Sequence, residues 1–289
     1  MTCPICKDAR HQTIWTKGRF SQRLTNVVCL NCGLVFVDPP VSLPADFYHE
    51  DYRRQYVGQA VLSPDIAVRR QRDAERRWRY LADRLPHLLP SRGLEIGCSS
   101  GHFLRVLTDH GWQSFGIDPD RSYTEYGRSH LGLTNLTTGL FTGAEFENEQ
   151  FGLVAMFHTL EHIPDPVLLL NHVHRRLVNG GILFLEVPDV ERPYFGDFDF
   201  FFQAAHPFSF SPSSLGNLLL MTGFELIRID HHQNFMLALA RKVSAGQAPV
   251  ADPKIARDLL RRLKWWRIGY WVLFRWAKAI KRLGARNRL

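Results

Sequence analysis

The stretch Leu94-Glu95-Ile96-Gly97-Cys98-Ser99-Ser100-Gly101, followed by Ser114-Phe115-Gly116-Ile117-Asp118-Pro119, decides the fold. A short apolar run enters a glycine-bearing turn, a helical stretch follows, and a second apolar run ends on an acid. This is the pattern of the opening βαβ unit of a nucleotide-binding sheet. Glycine at 97 and 101 removes side chains where backbone must approach a ligand at a helix N-terminus. The spacing is Glu95-x-Gly97-x-x-x-Gly101, not the G-x-G-x-x-G that seats a pyrophosphate. A carboxylate at Glu95 repels a pyrophosphate and favours a cationic ligand. Asp118, 21 residues after Gly97, is placed to accept hydrogen bonds from ribose hydroxyls. Cys98 reads as a small residue filling a tight loop.

Outward from this unit the alternation stays regular. The pattern predicts strands over 93–98, 114–118, 134–138, 152–158, 181–187, 224–230 and 234–240, and helices over 101–110, 120–131, 166–177 and 212–222. Ser211-Pro212 suits an N-cap and first helical residue. Asn179-Gly180-Gly181 and Thr222-Gly223 read as helix stops. A short turn over His231 to Gln233 makes the last two strands antiparallel on an otherwise parallel sheet. The expected fold class is α/β: a Rossmann-like, seven-stranded, mostly parallel sheet with an antiparallel last strand, an N-terminal zinc ribbon and a C-terminal amphipathic helix. The segments are 1–40 (ribbon), 41–90 (Arg-rich helical connector), 91–243 (α/β domain), 244–253 (linker) and 254–289 (basic helix).

At this point the chain resembles class I S-adenosylmethionine-dependent methyltransferases. Leu94 to Phe103 match the first motif and Gly116-Ile117-Asp118-Pro119-Asp120 the second. Phe151 to Pro166 and Leu177 to Leu183 match the strand-four and strand-five blocks. The resemblance covers 91–242. It implies that the first loop (Glu95, Gly97, Cys98, Gly101) holds the methionine end of the cofactor and that Asp118 holds the ribose. The family often carries an acid near the adenine after strand three. Here that region reads Thr138-Gly139-Leu140-Phe141, so the adenine contact falls to backbone at Gly139 and Leu140.

Two histidines are candidates for handling a proton. His158 ends the fourth strand, where open α/β sheets bind ligands. His206 lies in a long aromatic connection, Pro193 to Ser211, of the kind that covers a substrate; about half of its phenylalanines are expected to pack under the sheet edge. The block His206-Pro207-Phe208-Ser209-Phe210-Ser211 resembles zinc-containing deoxysugar C-methyltransferases, in which a Glu-His pair lies near the sugar. Here Ala205 replaces the Glu. Methyl transfer needs a held nucleophile that sheds its proton, which a histidine at neutral pH can accept. His158-x-x-Glu161-His162 also matches an inverted metalloprotease signature. That chemistry needs a helix, and Ile163-Pro164 breaks one. Glu161 and His162 therefore read as residues that shape the loop.

Cys3-x-x-Cys6 and Cys29-x-x-Cys32, with 22 residues between them, have the spacing of a closed four-cysteine zinc ribbon. With no open position, the Zn2+ would be structural. The deoxysugar enzymes, and some ribosomal-RNA methyltransferases, resemble the chain in having such a module. Two C-x-x-C pairs suit a reducing compartment better than disulfides. No signal peptide and no apolar run of the ~20 residues of a membrane span is expected.

The net charge of +8 is uneven: residues 254–289 carry twelve Lys or Arg and one acid, and the rest of the chain sums to −3. The tail interleaves Trp265, Trp266, Trp271 and Trp276 with basic residues. Leu259, Leu263, Trp266, Tyr270, Leu273, Ala277 and Ile280 recur at helical spacing. Trp with a cationic face is what an interfacial membrane helix needs. A net-acidic body fits nucleic acid less well. The expectation is a cytoplasmic methyltransferase, peripheral at the inner face of the cell membrane through an anionic surface. Its acceptor is a hydroxyl or carbon of a sugar or lipid-linked saccharide. The rivals are an RNA base methyltransferase and a non-catalytic membrane-associated scaffold.

Overall fold

A computed structural model describes residues 1–44, 47–48, 62–244 and 246–286 of the chain. Parts of the expected connector (45–46 and 49–61), Ala245 of the linker and the tail end 287–289 lie outside the described residues. Three strands come first, β1 (His11–Lys17), β2 (Arg23–Cys29) and β3 (Val35–Val37). Next is α1 (Pro64–Arg84), capped by Ser63, whose side chain accepts the Ile66 N–H, with Pro64 in the first turn. Then come β4 (Arg92–Ile96), α2 (His102–Asp109), β5 (Gln113–Asp118), α3 (Arg121–His130), β6 (Leu136–Thr138) and β7 (Phe151–Phe157). α4 (Pro166–Arg176) leads straight into β8 (Leu177–Pro188). The chain continues through α5 (Phe198–Phe201), β9 (Phe208–Ser209), α6 (Pro212–Met221), β10 (Phe224–His232), β11 (Phe235–Lys242) and α7 (Pro253–Arg286).

The main sheet has seven strands in the order β10-β11-β8-β7-β4-β5-β6. β4 to β8 pair in parallel, and β11 is antiparallel to both β8 and β10. The central β7 reads Phe-Gly-Leu-Val-Ala-Met-Phe and is buried along nearly its whole length, as expected of a strand covered on both faces. The order reverses beside β4, so the ends of β4, β5 and β7 open onto one crevice.

Local differences from the sequence reading have physical causes. The helix expected over 166–177 ends at Arg176, and Asn179-Gly180-Gly181 lies inside β8 rather than stopping a helix. There the pairing shifts between Phe151↔Leu177 and Leu153↔Ile182, and Gly180 (φ +73°) takes the left-handed conformation of the bulge. The strand expected over 134–138 shortens to three residues.

The N-terminal strands do not stand apart. β1, β2 and β3 form a second, antiparallel sheet whose fourth strand is β9, from the aromatic connection. Cys3, Ile5, Val27, Cys29, Cys32, Leu34 and Phe36 share one buried cluster with β7 and β8. Most of the connection's phenylalanines are buried, more than the expected half: Phe198, Phe201, Phe202, Phe208 and Phe210 are covered and Phe200 is exposed. Phe198, Phe201 and Phe202 pack with Leu24, Val28 and Val35, and with Leu259 and Leu263 of α7. The start of the tail's apolar face is therefore used inside the chain. Trp266 Nε1 donates to the Glu191 carbonyl at 2.5 Å, and Arg262 pairs with Glu191 at 2.6 Å. Trp265 and Ile268 stay exposed. The side chains from Tyr270 on, with Trp271, Leu273, Trp276, Ala277 and Ile280, lie outside those described. Among the described residues no helix is long and apolar enough to cross a membrane.

Candidate active site

The loop after β4 is a tight crossing of backbone. The Gly97 and Cys98 N–H groups both donate to the Ile117 carbonyl, at 2.8 and 3.2 Å, and Gly101 N–H donates to the Cys98 carbonyl. Gly97 (φ +73°) and Gly101 (φ +77°) take left-handed conformations. A Cβ at Gly97 would lie 2.2 Å from Thr159 Oγ1, and one at Gly101 would lie 2.5 Å from Leu133 Cδ1. Both glycines are thus demanded by conformation and by packing of the protein on itself.

Asp118 sits at the end of β5, 9% exposed. Its Oδ2 accepts Ser99 N–H at 2.7 Å and its Oδ1 accepts Asp120 N–H at 2.9 Å. Each oxygen keeps a second lone pair, enough for a pair of ribose hydroxyls. Burial pushes its carboxyl up to about 6, against the pull of those two N–H groups. Glu95, on β4, is 4% exposed, and its Oε2 has no hydrogen-bond partner among the described residues. Burial pushes it up to about 8, although Arg77 and Arg70 pull it down. A buried carboxylate oxygen without a partner fits a positively charged ligand. Cys98 is buried, and burial with the nearby Asp118 and Glu95 raises its thiol well above its ordinary value. It fills space beside Gly116, where a Cβ would meet its Sγ at 2.8 Å. Gly139 N–H donates to the Asp118 carbonyl at 3.0 Å. Its φ of +155° leaves open space where a Cβ would stand, and Leu140 is 51% exposed. That edge is free to receive a flat ring.

His158 follows β7 with φ +52°, an unusual conformation for a residue bearing a Cβ. Its N–H donates to the Glu186 carbonyl at 2.8 Å. Its ring lies between two carboxylates, 3.5 Å from Glu161 and 3.1 Å from Glu186. Burial opposes the charge, but both carboxylates favour it and lift the imidazole to about 9. Near pH 7 it is a cation. His206 is the opposite case: burial, then His162 and His158, hold it well below its ordinary value. It is a neutral imidazole 4.5 Å from the His162 ring, with the Gln203 amide against it.

Sequence reasoning missed what α1 and β8 contribute. Glu186 on β8 is fully buried and paired with Arg76 at 2.7 Å and Arg77 at 2.5 Å. Arg70 bonds the Ser99 hydroxyl of the loop and stacks over Tyr123. α1 is therefore a wall of the site. The signal was present: Ile66, Ala74 and Leu81 are its buried residues. Their spacing makes one apolar stripe that seats the helix and turns arginines inward.

The four cysteines converge as their spacing predicts. Their sulfurs all lie within 4.8 Å of one another, with Cys3–Cys32 at 3.5 Å and Cys6–Cys29 at 3.4 Å. Zn–S bonds of ~2.3 Å in a tetrahedron set sulfurs roughly 3.8 Å apart. The donor set fits Zn2+ held by four thiolates.

Residues 68–229 match the family model described as a methyltransferase domain. Over 113 residues the chain is 26% identical to a ubiquinone biosynthesis O-methyltransferase of Vibrio cholerae, covering 37% of this chain and 46% of that protein. The chain spans about half the length of the curated relatives it matches. A SAM-dependent methyltransferase structure from Archaeoglobus fulgidus aligns with TM-score 0.50 and 18% identity, covering 68% of this chain and all of that one. Magnesium protoporphyrin IX methyltransferase from Synechocystis, with bound SAH, aligns with TM-score 0.50 and 16% identity, over 68% and 97%. At such identities the structures speak for the fold.

Proposed function

The chain belongs to the family of methyltransferase domains, and on that premise we propose that it moves the methyl group of S-adenosylmethionine to a hydroxyl or carbon of a sugar or lipid-linked saccharide. The observation that carries the cofactor assignment is the buried Glu95 oxygen, without a partner among the described residues, on the strand that delivers the loop to Asp118. S-adenosylmethionine supplies an electrophilic methyl group on a cationic sulfonium. Glu95 answers that positive charge, Asp118 takes ribose hydroxyls on its free lone pairs, and the backbone at Gly139 and Leu140 borders the adenine. Arg70 stands beside the loop, where a ligand carboxylate would find it. His206 is neutral and accepts the acceptor's proton. His158, already protonated, supplies positive charge to the end of β7 rather than a base. The aromatic connection, pinned by β9 to the ribbon, keeps water from this end of the sheet.

Cys3, Cys6, Cys29 and Cys32 hold a structural Zn2+, closed to substrate. The saccharide acceptor rests on the resemblance of the His206 block. The membrane surface rests on exposed Arg261, Lys264, Trp265, Arg267 and Ile268 along α7.

Two measurements test this. Calorimetry should show S-adenosylmethionine binding to wild type and at least a tenfold loss in Asp118→Ala, because charge-assisted hydrogen bonds contribute roughly 1.5–3 kcal/mol each. Wild-type affinity in that variant overturns the site. Methyl-labelled cofactor given with cell lysate should label a saccharide or lipid fraction. Label confined to RNA overturns the acceptor and favours the nucleic-acid reading.

A further inference from the structure

His158-x-x-Glu161-His162 does not form the helical metal motif its letters suggest. Residues 160–162 make a single 3-10 turn, and Ile163 leaves it extended. The fold does something else with the pair: it brings His206, 44 positions on in sequence, to the same point. One donor atom from each of Glu161, His162 and His206 lies within 4.8 Å of the others. We propose that these three residues form a second metal site, taking a divalent first-row transition ion such as Zn2+ on two imidazole nitrogens and one carboxylate.

Three independent observations converge on it. Glu161 is 1% exposed, and neither carboxylate oxygen has a hydrogen-bond partner among the described residues. Its nearest cation is the His158 ring, at 3.5 Å. A carboxylate so placed is costly unless something charged completes it. Next, His162 Nδ1 contacts the Ala205 carbonyl at 2.8 Å. A carbonyl only accepts, so Nδ1 carries the hydrogen and Nε2 is the basic nitrogen. A carbonyl behind the ring in this way fixes the tautomer and orientation of a histidine ligand. The same carbonyl accepts from the Tyr48 hydroxyl at 3.3 Å, which fixes its position. Finally, the His206 ring stands edge to face with the His162 ring, centroids 4.5 Å apart, which sets a second imidazole at the same point.

Bonds of ~2.1 Å to nitrogen and oxygen place neighbouring donors roughly 3–3.5 Å apart. Side-chain rotations that move each donor by about 1 Å close the present spread to that. Two imidazoles and a carboxylate suit zinc, iron or cobalt better than magnesium or calcium. Three protein donors leave positions open, unlike the four-thiolate site. The site lies at the end of β7, beside the cofactor loop that Thr159 touches at Gly97. An acceptor oxygen held on the ion would lose its proton to solvent water more readily, with His206 then serving as ligand instead of base. The metal site does not depend on which acceptor is used, and its test reads metal directly.

The experiment uses full-length protein with its thiolate site loaded with Zn2+. Metal analysis after equilibration with added Zn2+ should give two equivalents in wild type and one in Glu161→Gln and His206→Gln. The retained thiolate-bound equivalent shows that each variant is folded. In calorimetry the second equivalent should weaken more than about tenfold in either variant. Cadmium NMR of the wild-type protein alone should give two resonances, one from thiolates and one from nitrogen and oxygen donors. A single equivalent and a single thiolate resonance in wild type overturn the proposal and leave Glu161 as the counterion of His158. A second equivalent that survives both substitutions also overturns it.

Discussion

Glu95→Gln separates the electrostatic reading of the cofactor site from a merely structural one. In the folded protein without ligand, burial holds this carboxyl at about 8, against an ordinary 4.5. A raised acid binds its proton more tightly folded than unfolded. Its ionisation therefore costs nothing below the unfolded value, and the cost grows as pH rises from 4.5 towards 8. At about 1.4 kcal/mol per tenfold change in proton affinity, the full cost above pH 8 is about 5 kcal/mol, and near pH 7 about 3 kcal/mol. Gln keeps the shape and never ionises. Urea unfolding of both proteins from pH 4 to 9, without cofactor, should give equal stabilities at the acid end. The Gln variant should become progressively more stable towards the alkaline end, and other titrating groups cancel in the difference. Cofactor binding should reverse the preference. A cation beside Glu95 favours the carboxylate, so binding near pH 7 releases close to one proton from wild type and none from the variant. The variant should also bind about tenfold more weakly. Calorimetry in buffers of different ionisation enthalpy reads the proton. A stability difference that does not change with pH, with no difference in proton release, would leave Glu95 a packing residue with no charge to offer a ligand.

Other outcomes follow from the same geometry. Gly97→Ala combines a left-handed φ with a Cβ 2.2 Å from Thr159 Oγ1, and should cost about 3 kcal/mol in urea unfolding; Thr159→Ser, which keeps that hydroxyl, should not relieve it. His158→Gln removes a cation raised to about 9. Its contribution is whole below the ordinary 6.5 and fades as pH rises through 9. For a side chain 36% exposed, solvent screening leaves about 1–2 kcal/mol, so the variant should be weakest relative to wild type near pH 6 and nearly equal above about pH 9.5. Leu263→Ala in α7 should cost about 2–4 kcal/mol and speed proteolysis of β1 to β3, since Leu263 packs in one cluster with Leu24, Val28 and Val35.

Much of the body was legible because each βα step carries its own signal. Gly97 and Gly101 punctuate the loop, Asp118 closes a strand, and Pro166 and Pro212 start helices, all within a few residues of what they control. Asn179-Gly180-Gly181 misled for the same local reason. Glycines suit a helix stop and a bulge equally, and only the pairing of β7 with β8 chooses between them. The site was legible where its residues are neighbours in sequence. It was not where distant segments meet. Arg70, Arg76 and Arg77 lie in what reads as a connector, Glu186 inside an apolar run, and His206 reaches Glu161 and His162 only through the path of the aromatic connection. β9, two residues long, carries no periodicity at all, yet it ties β3 of the N-terminal sheet to the aromatic connection.

The arrangement of charge explains why α1 belongs to the site. Glu95, Asp118 and Glu186 are buried at the ends of adjacent or nearby strands, and three buried acids repel one another. Glu186 meets two arginines and His158 directly and stays ionised, its carboxyl held well below the ordinary value despite its burial. Glu95 and Asp118 feel arginines only at a distance and are pushed upward instead. The protein thus neutralises one acid permanently and leaves two for a ligand. A cofactor carrying its positive charge into that gap gains from acids already desolvated. Most of the cost of burying them is met in folding, and near pH 7 binding has only the Glu95 proton left to release, which is how a preorganised site holds a charged ligand tightly.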